Sequence, residues 1–97
     1  MSRKAIRWSR RAVRRLDEIG THIEKDNPTA AARVIARIVS AVGVLSDQPA
    51  MGRVGRIRTT RELVLADIPY IIPYRVIRNE VEILTIMHTS RKWPRKL

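Results

Sequence analysis

The sequence predicts an α+β fold with the element order β-α-α-β-β-β, in which a helical hairpin packs on an antiparallel sheet. Between residues 10 and 45, apolar side chains recur at helical spacing in two separate stretches. Between residues 61 and 88, three short runs rich in β-branched and aromatic residues are separated by turn signals. A chain of 97 residues has the length of one domain, and we expect residues 1–97 to form a single domain.

The N-terminal half predicts one strand and two helices. Residues 5–8 are the strand candidate, and Ser9 is of the type that caps a helix. Asn27 and Pro28 mark the boundary between the helices, because Asn caps a helix and Pro suits its first turn. The short connection makes the two helices antiparallel neighbours that share a core. Their apolar stripes are Ala12, Leu16, Ile19 and Ile23 in the first helix, and Ala31, Val34, Ile35, Ile38, Ala41, Val42 and Leu45 in the second.

The C-terminal half predicts a loop and three antiparallel strands. Pro and Gly residues mark 48–59 as the loop. The strands that follow are joined by turns too short for any but antiparallel pairing. Pro73 removes a hydrogen-bond donor from the middle strand, which predicts either a bulge or an N–H position that faces away from the neighbouring strand. The three strand candidates are residues 61–66, 70–77 and 81–88.

Positive charge is the strongest compositional signal. The chain has 20 Lys and Arg against 9 Asp and Glu, a net charge of +11, and the basic residues cluster in segments 1–15, 53–61 and 91–96. Such a field attracts a polyanion, such as nucleic acid, the ribosome or an acidic protein. The alternative is a basic surface that serves only solubility.

The residue types present exclude several classes of chemistry. No cysteine occurs, which excludes disulfides and thiolate chemistry. No spacing typical of a metal site or of a phosphate-binding glycine loop occurs, so we expect neither a metal nor a cofactor. No apolar run reaches the ~20 residues that span a bilayer, and we expect a cytoplasmic protein with no membrane partner.

A candidate catalytic group lies at the end of the last strand, where His88 precedes Arg91. A histidine beside arginines has the chemistry of a general acid toward RNA, with the arginines stabilising the charge of the phosphorane. Period-two alternation places His88 on the same strand face as Glu82. The alternative is that His88 is a packed strand-end residue, since the sequence identifies no partner base.

Cationic and aromatic residues of the strands and tail are candidates for binding a target. On the first C-terminal strand, alternation places Arg61 on the face of the apolar side chains. The alternative for Arg61 and Arg75 is a cross-strand ion pair with Glu62, Glu80 or Glu82, and the alternative for Trp93 is packing of the tail onto the sheet. The candidate set is Arg61, Arg75, Arg91, Lys92 and Trp93.

Several short motifs follow one another over nearly the whole chain. They are Trp8-Ser9, Asp26-Asn27-Pro28, Pro49-x-x-Gly52-Arg53, Thr60-Arg61-Glu62-Leu63, Tyr74-Arg75-Val76, Val81-Glu82-Ile83-Leu84 and His88-x-x-Arg91. The ordered set resembles the RelE/ParE superfamily of bacterial toxin–antitoxin toxins. The resemblance implies a toxin that arrests growth when free and that a small antitoxin holds inactive in a hetero-oligomer.

The resemblance implies one of two activities. RelE-like members cleave mRNA on the ribosome, and ParE-like members inhibit DNA gyrase. In the RNA-cleaving branch an arginine commonly lies three residues before the tyrosine of the middle strand, and here that position is Ile71. Because an apolar side chain cannot stabilise an anionic transition state, the resemblance is closer to the ParE-like branch and favours a gyrase inhibitor. The alternative is a ribosome-dependent endoribonuclease that uses Arg61, His88 and Arg91, and a third hypothesis is a basic module that only binds nucleic acid.

Overall fold

Two helices lie against one face of a sheet in the computed structural model, which describes residues 3–90. The predicted element order is confirmed, with one short strand added in the loop and the last strand divided in two. No helix in this part of the chain is long and apolar enough to cross a membrane. The elements are β1 (Ala5–Trp8), α1 (Arg10–Glu24), α2 (Pro28–Val44), β2 (Arg53–Val54), β3 (Arg61–Leu65), β4 (Tyr70–Ile77), β5 (Glu80–Ile83) and β6 (Met87–His88).

Both helices begin at the predicted cap residues. Ser9 Oγ accepts a hydrogen bond from the Ala12 N–H (3.0 Å) and donates one to the Leu84 carbonyl (2.9 Å), so the cap also ties α1 to the sheet. Asn27 Oδ1 accepts a hydrogen bond from the Ala30 N–H at 3.0 Å at the start of α2. These bonds satisfy N–H groups that the first turn of a helix leaves without an intrahelical partner.

The two apolar stripes meet the sheet in one core. Ile38 of α2 is fully shielded from solvent, at 0% exposure, and Val34 and Ile35 pack against the core while partly buried. We call the surface of the sheet that meets the helices the helix face, and the opposite surface the far face. The helix face contributes Leu63, Leu65, Tyr70, Ile72, Tyr74, Val81 and Ile83 to the core.

The sheet is mixed, with the strand order β1-β5-β4-β3-β2 and with β6 beside β4. β3, β4 and β5 pair antiparallel, as their tight turns predict. β1 instead runs parallel to β5, so the sheet is not wholly antiparallel as the sequence predicted. The reason is that a helical hairpin and not a tight turn follows β1, and a crossover connection of that length permits parallel pairing.

The last strand is interrupted opposite Pro73. Ile83 lies opposite Tyr74, whereas His88 lies opposite Tyr70. The four residues 84–87 therefore face only the three residues 71–73 of β4, so the segment between β5 and β6 contains one extra residue. Such an extra residue is a β-bulge, which shifts the alternation of side chains by one. The bulge predicted from Pro73 is therefore confirmed. The prediction that His88 shares a face with Glu82 is wrong, because the bulge places His88 on the helix face.

Candidate functional site

Two groups of ion pairs lie on the far face, and Glu82 is the centre of the first. Its carboxylate accepts hydrogen bonds from Arg75 Nε on β4 (2.5 Å) and from Arg7 Nη2 on β1 (2.5 Å). Burial raises the pKa of Glu82, but the hydrogen bond from Arg75 and the charges of Arg75 and Arg7 outweigh burial and leave the pKa below its usual range. Arg75 thus forms the cross-strand ion pair that was the alternative to target binding.

Glu62 of β3 is the centre of the second group, and only 2% of its side chain is exposed. Its Oε1 accepts hydrogen bonds from Arg53 Nε (3.0 Å) and Nη2 (2.8 Å), and its Oε2 accepts one from the Arg56 backbone N–H (2.9 Å). Burial pushes the pKa of Glu62 upward, yet these hydrogen bonds and both arginine charges leave it below its ordinary value of 4.5. A buried carboxylate therefore holds the basic loop against the sheet.

An apolar strip crosses the far face at Ile71, the position at which the resemblance to the RNA-cleaving branch would imply an arginine. Ile71 lies opposite Val64 of β3 on one side and opposite Met87 of β6 on the other. Ile71 is 6% exposed, and none of the three side chains carries a charge or a hydrogen-bond donor for a phosphate. This part of the far face cannot stabilise an anionic transition state through its side chains.

Arg61 and Tyr74 hold the loop that precedes β2. Arg61 Nη1 donates to the Gly52 carbonyl at 2.8 Å and to the Ala50 carbonyl at 3.4 Å. The Tyr74 hydroxyl accepts a hydrogen bond from the Gly52 N–H (2.8 Å) and donates one to the Pro49 carbonyl (2.7 Å). A Cβ at position 52 would lie 2.7 Å from the Tyr74 ring, so this close approach requires glycine. Loop carbonyls, and not a glutamate, are the partners of Arg61.

A cleft of about 560 Å³ lies between α1 and the part of the sheet where β4 begins and β6 ends. His88 Nδ1 accepts the Ser90 N–H at 3.1 Å and lies 2.8 Å from Ser90 Oγ. The His88 ring stands edge-on to Tyr70, with 5.3 Å between the ring centroids. We call this the histidine cleft, because both histidines of the chain line it. Its lining residues are Arg15, Glu18, Ile19, His22, Tyr70, His88 and Ser90.

The histidine cleft was not predicted, because His22 and His88 lie far apart in the sequence. The spacing of Arg15, Glu18 and His22 was a usable signal, since residues three and four apart form one stripe on a helix. That stripe does not reveal which strand it will meet. Within residues 3–90, no group of three or more His, Cys, Asp or Glu side chains is arranged to hold a metal ion.

The first two turns of α1 carry a concentrated positive charge that we call the arginine patch, formed by Arg10, Arg11 and Arg14. All three are exposed, and no acidic partner for them is described in residues 3–90. No acidic residue lies in the first helical turn, although a helix N-terminus favours negative charge. Arg10 and Arg14 of the patch line a groove together with Trp8, Val13 and Asp17. Like charges one turn apart destabilise a helix, so this surface carries charge that the fold alone does not require.

The structure does not place Arg61 and His88, the two predicted catalytic residues that it describes, opposite the same part of β4. Arg61 lies opposite Tyr74 on β3, and His88 lies opposite Tyr70 on β6. These two positions on β4 are four residues apart in sequence, which is about 13 Å along a strand. Arg91, Lys92 and Trp93, the remaining predicted site residues, lie outside the described residues.

Known proteins share this fold and much of this sequence. A family model described as "ParE toxin of type II toxin-antitoxin system, parDE" matches residues 6–93. The chain is 68% identical over 97 residues to "Putative toxin Y4kP" of Sinorhizobium fredii, with 100% of both chains covered. It superposes on a chain of the chromosomal ParDE toxin–antitoxin system from P. aeruginosa with a TM-score of 0.82 and 29% identity, covering 90% of this chain and 97% of that chain. A chain of the toxin–antitoxin complex RelBE2 from Mycobacterium tuberculosis gives a TM-score of 0.66 and 26% identity, with 91% and 93% covered.

Proposed function

The chain belongs to the ParE toxin family of type II toxin–antitoxin systems, and from this premise we propose that it inhibits DNA gyrase by binding and not by catalysis. The higher TM-score with the ParDE chain than with the RelBE2 chain supports the ParE-like assignment. We propose the cytoplasm as its location, since gyrase acts on chromosomal and plasmid DNA there. The target-binding residues that we propose are Arg61, Arg75, Arg91, Lys92 and Trp93. Arg75 can contact a target in addition to Glu82, because 43% of its side chain is exposed.

The apolar strip on the far face is the observation that carries the proposal. An RNA-cleaving site needs groups that move protons and groups that neutralise the phosphorane. At the position of Ile71 the far face presents three apolar side chains, and Arg75 beside them is tied to Glu82. A protein that inhibits by binding needs no proton-transfer or phosphorane-stabilising groups, because a complementary shape and surface charge are sufficient.

The deciding experiment incubates the purified toxin with gyrase and relaxed plasmid, and separately with translating ribosomes. We expect loss of supercoiling and intact mRNA. His88→Ala is expected to leave gyrase inhibition unchanged, because a binder needs no proton-transfer group. Cleaved mRNA together with unaffected gyrase would overturn the proposal.

A second candidate function is cleavage of mRNA, and the histidine cleft is the observation that favours it. The sequence named no partner base for His88, whereas the structure places His22 in the same cleft. Two imidazoles can act as general base and general acid. If this function is the correct one, His88→Ala should lower the rate of cleavage by about 10²–10⁴-fold.

We also propose that the partner is an acidic antitoxin that docks on the arginine patch. Both structural relatives come from toxin–antitoxin systems, and an acidic, partly disordered segment that folds on binding would neutralise the charge on α1. The groove lined by Trp8 and Val13 beside the patch would take apolar side chains of that segment.

Replacing Arg10, Arg11 and Arg14 together with glutamine should weaken antitoxin binding roughly 3- to 150-fold, at about 0.2–1 kcal/mol for each exposed charge pair. Calorimetric titration with the small protein encoded beside the toxin measures this change. The matched control changes the same number of exposed arginines elsewhere, at Arg33, Arg58 and Arg78. Equal loss in both triple variants, or affinity that does not fall as salt rises, would contradict docking on the patch.

A further inference from the structure

The histidine cleft contains binding groups to which the proposed gyrase inhibition assigns no role. Its walls come from α1 and from the part of the sheet where β4 begins and β6 ends. Three of its side chains can bind an anion, namely Arg15, His22 and His88, and one, Glu18, is a carboxylate. Its volume of about 560 Å³ lies within the ~300–1,000 Å³ of small-molecule sites. The cleft therefore has the size of a small-molecule site, and three of its side chains can donate hydrogen bonds to an anion.

Arg15 has hydrogen-bond donors that no described residue uses. Its side chain is 25% exposed, and its Nη1 lies 3.7 Å from the nearest carboxylate oxygen of Glu18, which is beyond hydrogen-bond distance. Arg37, by contrast, forms two hydrogen bonds with Asp67 at 2.7 and 2.9 Å. The planar fork of an arginine matches two oxygens of a phosphate, and the Arg15 fork forms an ion pair with Glu18 but no hydrogen bond to a described residue.

His88 is oriented in advance to donate a hydrogen bond. Because Nδ1 accepts the Ser90 N–H, the proton of the neutral ring lies on Nε2. The edge-on contact with Tyr70 holds the plane of the ring, and no partner of Nε2 is described in residues 3–90. A donor already held in place loses little conformational freedom when it binds a ligand.

We propose that the histidine cleft binds a phosphate monoester, and that a nucleoside 5′-monophosphate fits its chemistry. Arg15 and the two imidazoles hold the phosphate. Tyr70 is 8% exposed, so only the edge of its ring that lines the cleft contacts the base. Glu18, which is 58% exposed, accepts a hydrogen bond from an exocyclic amino group of the base. This inference does not rest on gyrase inhibition, since it concerns a small ligand in a cleft whose described lining includes none of the proposed target-binding residues.

The two histidines make the test direct, because each gives its own ring C–H signals in a carbon–proton NMR spectrum. His22→Gln and His88→Gln assign the signals. The full chain is titrated with adenosine 5′-monophosphate at constant ionic strength and pH, and in separate arms with inorganic phosphate and with adenosine. We expect both histidines to shift along one saturable curve with the nucleotide, to shift more weakly with inorganic phosphate, and not to shift with adenosine.

Arg15→Gln should weaken the nucleotide at least about tenfold, as expected for loss of charge-assisted hydrogen bonds. Arg33→Gln removes an equal charge from an exposed position on α2 and should change the affinity less than about twofold. The thermal unfolding midpoint of each variant shows whether the fold survives. Absence of a saturable shift, an equal response to adenosine, or undiminished binding by Arg15→Gln would overturn the proposal.

Discussion

Replacing Ile38 with alanine is expected to lower the free energy of unfolding by about 2–5 kcal/mol. Ile38 is 0% exposed and packs in the core formed by both helices and the sheet. The change removes buried carbon atoms and leaves a cavity, because a close-packed interior relaxes only partly around a lost side chain. Urea unfolding followed by circular dichroism measures the difference between the two chains.

Val39 provides the matched control on the same helix. Val39 follows Ile38 directly, but its side chain is 47% exposed. Val39→Ala should therefore change the free energy of unfolding by no more than about 0.5 kcal/mol. A loss below about 0.5 kcal/mol for Ile38→Ala as well would mean that the apolar stripe of α2 does not face the core.

Replacing Glu62 with glutamine is expected to lower the free energy of unfolding by roughly 2–4 kcal/mol near pH 7. The carboxylate has 2% exposure and accepts hydrogen bonds from Arg53 and from the Arg56 N–H. Glutamine keeps the size of the side chain, but it is neutral and its amide nitrogen accepts no hydrogen bond. Both arginines are about half exposed, so water partly compensates for the lost charge.

The effect of this substitution should depend on pH. The pKa of Glu62 lies below its ordinary value of 4.5 in the folded chain, so the charged carboxylate is favoured by folding. That contribution is fully present above the pKa of the unfolded chain and is lost as the pH falls through the lower folded pKa. The difference in the free energy of unfolding between the two chains should therefore be constant from about pH 7 to about pH 5. It should shrink as the pH falls below 4.5, the ordinary pKa of the carboxyl group.

Unfolding by urea at a series of pH values measures this dependence. Glu24→Gln is the control, because Glu24 is exposed at the end of α1 and should change stability by no more than about 0.5 kcal/mol. A difference for Glu62→Gln that is the same at every pH at which the chain is folded would contradict the role of the charged carboxylate.

Most of the fold could be predicted from the sequence, because the interactions that define each element are local. The stripe around Ile38 reports helical periodicity, and Ser9 and Asn27 cap the turns that directly follow them. β4 spans the predicted residues, and the missing N–H of Pro73 predicted the bulge beside it. The resemblance of the ordered motifs identified the toxin family, which the comparisons confirm.

The tertiary structure alone decided which side chains share a site. The bulge moved His88 to the helix face, where it lines a cleft with His22, a residue far from it in sequence. Glu62 is held by arginines of a loop whose short strand the sequence did not predict, and Arg61 is bound to loop carbonyls. Periodicity and capping describe neighbours within a few residues, whereas these contacts depend on strand register. A single inserted residue reverses the face of every side chain that follows it, and for that physical reason the elements could be predicted locally while the candidate site could not.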